Sequence, residues 1–167
     1  DWYLDRHTVH PGGNAINVAV YCHRMGAESS YIGQFGTDWA GDVMVRALEF
    51  EGVDLTRIRR REGTSGYATI ENVDGERIFR GSSRGVVRFE PVPEDLAFMT
   101  GADLIHTGDN SYLEPHLADF AAIAPVSYDF GSRPAEYCAP LLPHVSYATF
   151  SQPDLVRDEV VALLGWA

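Results

Sequence analysis

The chain opens on a short apolar stretch, Trp2-Tyr3-Leu4, which reads as the end of a strand. After Gly12-Gly13, apolar residues recur at Ala15, Ile16, Val18, Ala19 and Val20 and again at Met25, with Gly26 behind them. This spacing predicts a helix that opens on glycines and closes at a glycine C-cap. Tyr31, Ile32 and Phe35 predict a strand from Ser30 to Phe35, ended by Gly36. Asp38 is placed to cap a second helix through Val43, Met44, Ala47 and Leu48, which Gly52 stops. The pattern then changes: extended runs from Gly66 to Val73 and from Glu76 to Arg80 flank Asp74-Gly75, a strong short-range hairpin signal. Its polar residues on both sides predict a hairpin that projects from the core. Beyond Pro91 and Pro93 come a strand from Ala102 to Thr107, a helix from Glu114 to Ala124 and a strand from Val126 to Phe130. A short helix around Ala135 to Leu142, a strand from Val145 to Phe150 and a last helix from Pro153 or Asp154 to Leu164 complete the series.

Strands alternating with helices predict an α/β fold built on a parallel sheet flanked by helices. Ligands in such sheets lie beyond the carboxyl ends of the strands. That rule singles out Asp1, the Gly12-Gly13 turn, Gly36-Thr37-Asp38, Gly108-Asp109-Asn110, Asp129 and Ser151.

Composition narrows the partners. The 167 residues are 45% hydrophobic and 11% aromatic, enough for one domain or part of a larger one. Thirteen basic against 24 acidic residues give a net charge of -11, which repels nucleic-acid phosphates and anionic membranes. The basic run Arg57, Arg59, Arg60 and Arg61 reads as a solvated strand or loop edge, with an anionic ligand as the alternative. Cys22 and Cys138 lie far apart and form no C-x-x-C pair, which points to a reduced, cytoplasmic protein. No apolar run is long enough to span a bilayer, and the six histidines lack zinc-site spacing. His10, near the glycine pair, reads as a surface or packing histidine, with a pocket residue as the alternative. Both termini break off within an element, which predicts a piece of a longer chain.

Gly12-Gly13 at a helix N-terminus leaves backbone N–H groups open to a ligand, with no Cβ in the way. Asn17, one turn further on, carries an amide that both donates and accepts, as a hydroxyl-rich ligand requires. A tight loop with a helix-packing asparagine is the alternative. The order of these residues resembles the ribokinase/PfkB carbohydrate kinase family. Gly12-Gly13-x-Ala15-x-Asn17-x-Ala19 with Gly26 and Gly36 follows its first signature, and Gly36-Thr37-Asp38-x-x-Gly41 its next turn. Asp1 precedes Gly12 by the interval that separates the family's sugar-binding aspartate from its glycine pair. The Asp-Gly hairpin falls where the family carries its lid, here about residues 64–86. The run from Gly12 to Tyr21 and the strand ending Tyr128-Asp129-Phe130 are most similar to fructoselysine 6-kinases.

The resemblance implies a ribokinase-like fold with a small projecting β lid, of which residues 1–167 are the N-terminal, sugar-binding part. It implies ATP and Mg2+ as cofactors, a small-molecule sugar as substrate and a homodimer through the lid. Asp1, Gly12, Gly13 and Asn17 would bind the sugar. Asp109 would lie near it, or belong to an ordinary Gly-Asp-Asn turn. Asp129 and Arg133 fall on the family's D-x-N-x-R stretch, but Gly131 replaces the asparagine, so Asp129 would either shape its loop or make a phosphate or metal-water contact. Ser151-Gln152-Pro153-Asp154 stands where the family has N-x-x-E, and Asp154 keeps a carboxylate for a phosphate or metal-water contact. The family's base and anion hole come from a Gly-Ala-Gly-Asp segment that this sequence lacks, so the catalytic base is expected outside it. Asp42, in Ala40-Gly41-Asp42, reads as a first-turn carboxylate favoured by the helix macrodipole. The implied reaction is ATP-dependent phosphorylation of a sugar or sugar-amine hydroxyl. A fructokinase, a nucleoside kinase and a non-catalytic sugar-sensing half-domain are the alternatives.

Overall fold

The computed structural model describes residues 1–152 and 154–166, and all but the side chain of Arg77 within them. Pro153, one of the two starts considered for the last helix, lies outside the described residues. The chain divides into two compact units, Asp1–Phe89 and Glu90–Ala167.

In the first unit, β1 (Trp2–Tyr3) and β2 (Thr8–Val9) precede α1 (Asn14–Arg24), β3 (Gly33–Gly36), α2 (Trp39–Phe50) and β4 (Ile58–Arg61). The hairpin of β5 (Tyr67–Val73) and β6 (Glu76–Ser83) follows. Its two-residue turn has Asp74 at φ 52° and Gly75 at φ 89°, the left-handed pair that matches the strand twist. β1 joins this hairpin, so the sheet order is β2-β1-β5-β6. Trp2 lies opposite Thr69 in a parallel pairing and opposite Val9 in an antiparallel one. The first strand therefore belongs to the projecting sheet. β3 and β4 pair in parallel beneath it in sequence order, from Gly33 opposite Ile58 to Gly36 opposite Arg61.

The predicted helix caps hold. Gly13 at φ 117° precedes α1, Gly26 at φ 96° follows it, and the Asp38 side chain accepts from Gly41 N at the start of α2. Ile16 and Ala19 of α1, Phe35 of β3, Leu48 of α2 and Val53 form one buried cluster, with Val20, Met44, Val45 and Ile58 packed on it. Leu48 is only 1% exposed, so truncating it to alanine costs about 2–5 kcal/mol. The strand predicted over Ser30 to Phe35 is narrower in the fold. Ser30 makes one isolated bridge to Asp54, and the ladder starts only at Gly33.

The second unit holds α3 (Pro93–Met99), β7 (Ile105–Gly108), α4 (Leu117–Ala121), β8 (Val126–Asp129), α5 (Ala135–Cys138), β9 (Tyr147–Thr149) and α6 (Arg157–Trp166). The three strands pair in parallel in the order β7-β8-β9. Leu117, Phe120, Val126, Tyr128, Phe130 and Cys138 are its most buried apolar residues. Two predicted helices are shorter in the fold. Glu114-Pro115-His116 forms a 3-10 turn before α4, and Leu142-Pro143-His144 forms another after α5. α3 was not anticipated. It starts on Pro93, and Val92 N donates to the buried Asp95 carboxylate at 2.9 Å, a local reward for helix entry.

Candidate functional site

Asp1 and the glycine pair meet although β1 and α1 lie in different layers of the first unit. His10 N donates to Asp1 O at 2.9 Å, and Asp1 N donates to His10 O at 2.8 Å. The β1–β2 turn thus returns the chain to Asp1 just before Gly12. A Cβ built on Gly12 would lie 2.8 Å from Asp1 Oδ2, so any larger residue there would push the carboxylate aside. At Gly13 the constraint is conformational: its φ of 117° suits glycine, and a Cβ there would meet only Ile16 Cδ1 at 3.8 Å. Asn17 N donates to Gly13 O at 2.9 Å, closing the first turn of α1. Ile16 and Ala19 face the core while the Asn17 side chain stays exposed. A carboxylate, open backbone and an exposed amide therefore lie at one helix N-terminus. Such a group can accept from and donate to several hydroxyls at once.

His10 has a packing role. Its Nε2 lies 3.2 Å from Thr8 Oγ1, and its ring sits edge-on to Tyr3 at 5.5 Å. The basic run is a strand edge, as its composition suggests. Arg60 donates to Gly36 O at 3.0 Å and to Asp42 at 2.6 Å, and Arg59 stacks over Phe89 at 4.9 Å. Asp42 is thus a first-turn helix carboxylate with an arginine partner.

In the second unit the carboxylates at the strand ends are bound up with their neighbours. Asp109, one residue past β7, accepts from Arg133 Nε at 2.9 Å and from Asn110 Nδ2 at 2.7 Å. Its side chain is 15% exposed and that of Arg133 41%. Arg133 lies over the Tyr137 ring at 5.3 Å. The Tyr137 hydroxyl donates to Glu114 at 2.5 Å and lies 2.8 Å from the Tyr128 hydroxyl. Burial, then the bond to Glu114, pushes the Tyr137 hydroxyl up to about 12. Burial acts in the same direction on Tyr128, so both stay neutral donors at any physiological pH. Asp129 accepts from Gly131 N at 2.9 Å, the loop-shaping bond expected once glycine replaced asparagine. Asp154 is exposed. Among the described residues, no three His, Cys, Asp or Glu side chains stand together to hold a metal ion, and no helix is long and apolar enough to cross a membrane.

Sequence reasoning missed Ser65. It is 3% exposed, and its N–H and hydroxyl donate to Asp38 at 2.9 and 2.7 Å. No local pattern marks it, because the contact spans 27 residues.

A parallel α/β core, a glycine-opened helix beside an acidic group and a projecting hairpin together define the ribokinase-like fold. The solved ribokinase of Giardia lamblia superposes with a TM-score of 0.74 at 17% identity, covering 98% of this chain and 59% of that one. The model for the pfkB family of carbohydrate kinases matches residues 3–156, and the chain belongs to that family. The fructosamine kinase FrlD of Bacillus subtilis (strain 168) is 40% identical over 165 residues, 95% of this chain and 58% of the relative. The fructoselysine 6-kinase of Escherichia coli (strain K12) is 29% identical over 166 residues, 98% of this chain and 63% of the relative. The chain thus spans about three fifths of the length of these curated relatives.

Proposed function

We propose that the intact protein transfers the γ-phosphoryl group of ATP, with Mg2+, to a hydroxyl of a sugar amine of the fructoselysine type. The observation that carries this reading is the approach of the Asp1 carboxylate to Gly12, at the open N-terminus of α1. Asp1 would accept hydrogen bonds from two sugar hydroxyls and so fix the ring. The Gly12-Gly13 main chain and the Asn17 amide would hold further oxygens. With the sugar held, its reacting hydroxyl oxygen bonds to the γ-phosphorus as the bond to the β–γ bridging oxygen breaks, and a base takes the hydroxyl proton. No residue of this chain is assigned as that base. Asp129 is engaged with its own loop and Asp154 belongs to no group of three metal-binding side chains among the described residues, so neither is assigned as a direct Mg2+ ligand.

The names and coverage of the relatives favour a sugar amine over free fructose or a nucleoside. The exposed Trp2, Tyr67 and Phe79 on the hairpin sheet support a homodimer through that sheet. The test is ADP release from the intact protein with ATP, Mg2+ and a panel of fructoselysine, fructose and nucleosides. Turnover strongest on fructoselysine supports the reading. A preference for fructose or a nucleoside would overturn the substrate, and no ADP with any carbohydrate would overturn the kinase. Sugar-dependent stabilisation without turnover would point to a sensing role; at about a hundred times the dissociation constant it would reach roughly 2.7 kcal/mol.

A further inference from the structure

Two crossings join the hairpin to the β3–β4 layer: residues 62–66 outward and residues 84–88 back. At that place main chain packs directly on main chain. A methyl group on Gly36 would strike the Gly63 carbonyl oxygen and lie 2.6 Å from Ser65 N. One on Gly41 would strike the Gly36 carbonyl, and one on Gly85, at φ 52°, the Thr64 carbonyl. Val86 N donates to Thr64 O at 2.9 Å, joining the two crossings. The Gln34 amide, buried on β3, donates to the carbonyls of Val86 and Arg88.

Asp38 closes this joint with both carboxylate oxygens. Oδ2 accepts from Ser65 N at 2.9 Å, while Oδ1 accepts from Ser65 Oγ at 2.7 Å and from Gly41 N at 2.9 Å. Ser65 Oγ in turn accepts from Gly36 N at 3.0 Å. Burial acts to raise the Asp38 carboxyl, but the bonds from the Ser65 hydroxyl and the Gly41 and Ser65 N–H groups outweigh it and hold it below the usual carboxylate range.

The sheet that hangs from this joint also carries Asp1, because β1 pairs with β5 and Leu4 N donates to Ile70 O at 2.8 Å. The glycine pair belongs instead to α1, whose Ile16 and Ala19 are built into the core with Phe35 and Leu48. The distance between the carboxylate and the glycines depends on where the hairpin sheet sits on that core. We propose that Asp38 is a positioning residue: by holding Ser65 it sets the hairpin sheet, and with it Asp1, against Gly12 and Gly13. This rests on reading Asp1 and the glycine pair as the sugar site. Asp38 acts through Ser65 and the hairpin, which distinguishes it from a simple helix cap.

Two variants separate the roles. Asp38→Ser keeps an acceptor for Gly41 N but cannot span to Ser65, whereas Ser65→Ala keeps the cap intact. Each removes a hydrogen bond to a charged group, so each should raise the KM for the sugar roughly tenfold. The KM for ATP should stay within about twofold, and the double variant should be no worse than the worse single one, since both break one link. Hydrogen exchange should quicken over residues 1–10 and 64–86 while α2 keeps its protection. Unchanged sugar KM with a lower melting temperature, or equal rises in both KM values, would overturn the proposal. If the wild-type protein phosphorylates nothing, the kinase reading fails on its own. Faster exchange at the hairpin in both variants would still support the joint, and unchanged exchange there would sink it.

Discussion

The two units use their acidic residues in opposite ways. In Asp1–Phe89, Asp1 faces a glycine main chain that has been cleared for it, and Asp38 pins two crossing segments. In Glu90–Ala167, Asp109 is paired with Arg133 and Asp129 closes a turn onto Gly131. Close backbone packing thus concentrates in the first unit, whereas Gly101 of the second has nothing within 4 Å of its missing Cβ. Substituting the closely packed glycines of the first unit should therefore be costly, and substituting Gly101 of the second cheap.

The largest effect should come from Gly85→Ala. The added methyl meets the Thr64 carbonyl oxygen and the residue is held at φ 52°. Overpacking and left-handed strain together come to about 3 kcal/mol, or a fall in Tm of roughly 6–12 °C. Gly101, at φ 92° in the second unit, has nothing within 4 Å of its missing Cβ. Gly101→Ala should therefore cost only the strain, about 1 kcal/mol. Thermal melts of both variants check the contrast, and equal losses would break it.

Next is Asp1→Asn, which keeps shape and removes charge. If Asp1 orients the sugar, kcat/KM should fall about 100-fold, equivalent to about 2.7 kcal/mol, with little change in Tm. Steady-state kinetics with fructoselysine measures it. A loss under threefold would mean that the carboxylate beside Gly12 does not hold the reacting sugar.

Asp38→Ser should lower stability at pH 7 by about 1–2 kcal/mol, since the serine retains the cap but not the joint. The Asp38 carboxyl is lowered in the folded state, so its stabilisation is complete above the unfolded carboxyl value of about 3.9 and is lost as pH falls through the lower folded value. The difference from wild type should be equal at pH 7 and pH 5 and shrink below about pH 4. Urea unfolding at these pH values decides it, and a gap that closed between pH 7 and pH 5 would contradict the bond pattern.

How much of this was legible before the fold was known follows from the range of each interaction. The glycine-opened α1, the Asp38 cap and the Asp74-Gly75 turn were read because their signals lie within a few residues. α3 spans only seven residues, too few for a helical period to show, and its signals are Pro93 and Asp95 at its start. β2 is two residues long and too short to carry a period. The pairing of β1 with β5 joins residues more than sixty apart, and the role of Ser65 appears only when Asp38 arrives beside it. Asp109 reads in the sequence as a turn residue or a ligand contact, and nothing local marks Arg133, 24 residues away, as its partner.

A double-mutant cycle on Asp109 and Arg133 tests the second unit directly. The pair is partly exposed, so its coupling should be about 0.5–1 kcal/mol in urea unfolding, with Asp109→Asn and Arg133→Gln as the single changes. A coupling near zero would mean the contact holds nothing, and the contrast between the units would lose its second half.

The smallest effect should be that of Asp154→Ala. The residue is exposed and stands outside any group of three metal-binding side chains among the described residues, so stability should move by less than about 0.5 kcal/mol. Activity should hold within roughly threefold, because an exposed carboxylate contributes little through water at high dielectric. Urea unfolding and the dependence of kcat on Mg2+ concentration measure the two quantities. A tenfold rise in the Mg2+ needed for half-maximal rate, with stability unchanged, would instead assign Asp154 to the water shell of the ion. That outcome would place an acidic residue of the second unit at a ligand, and the contrast with the first unit would narrow to backbone packing alone.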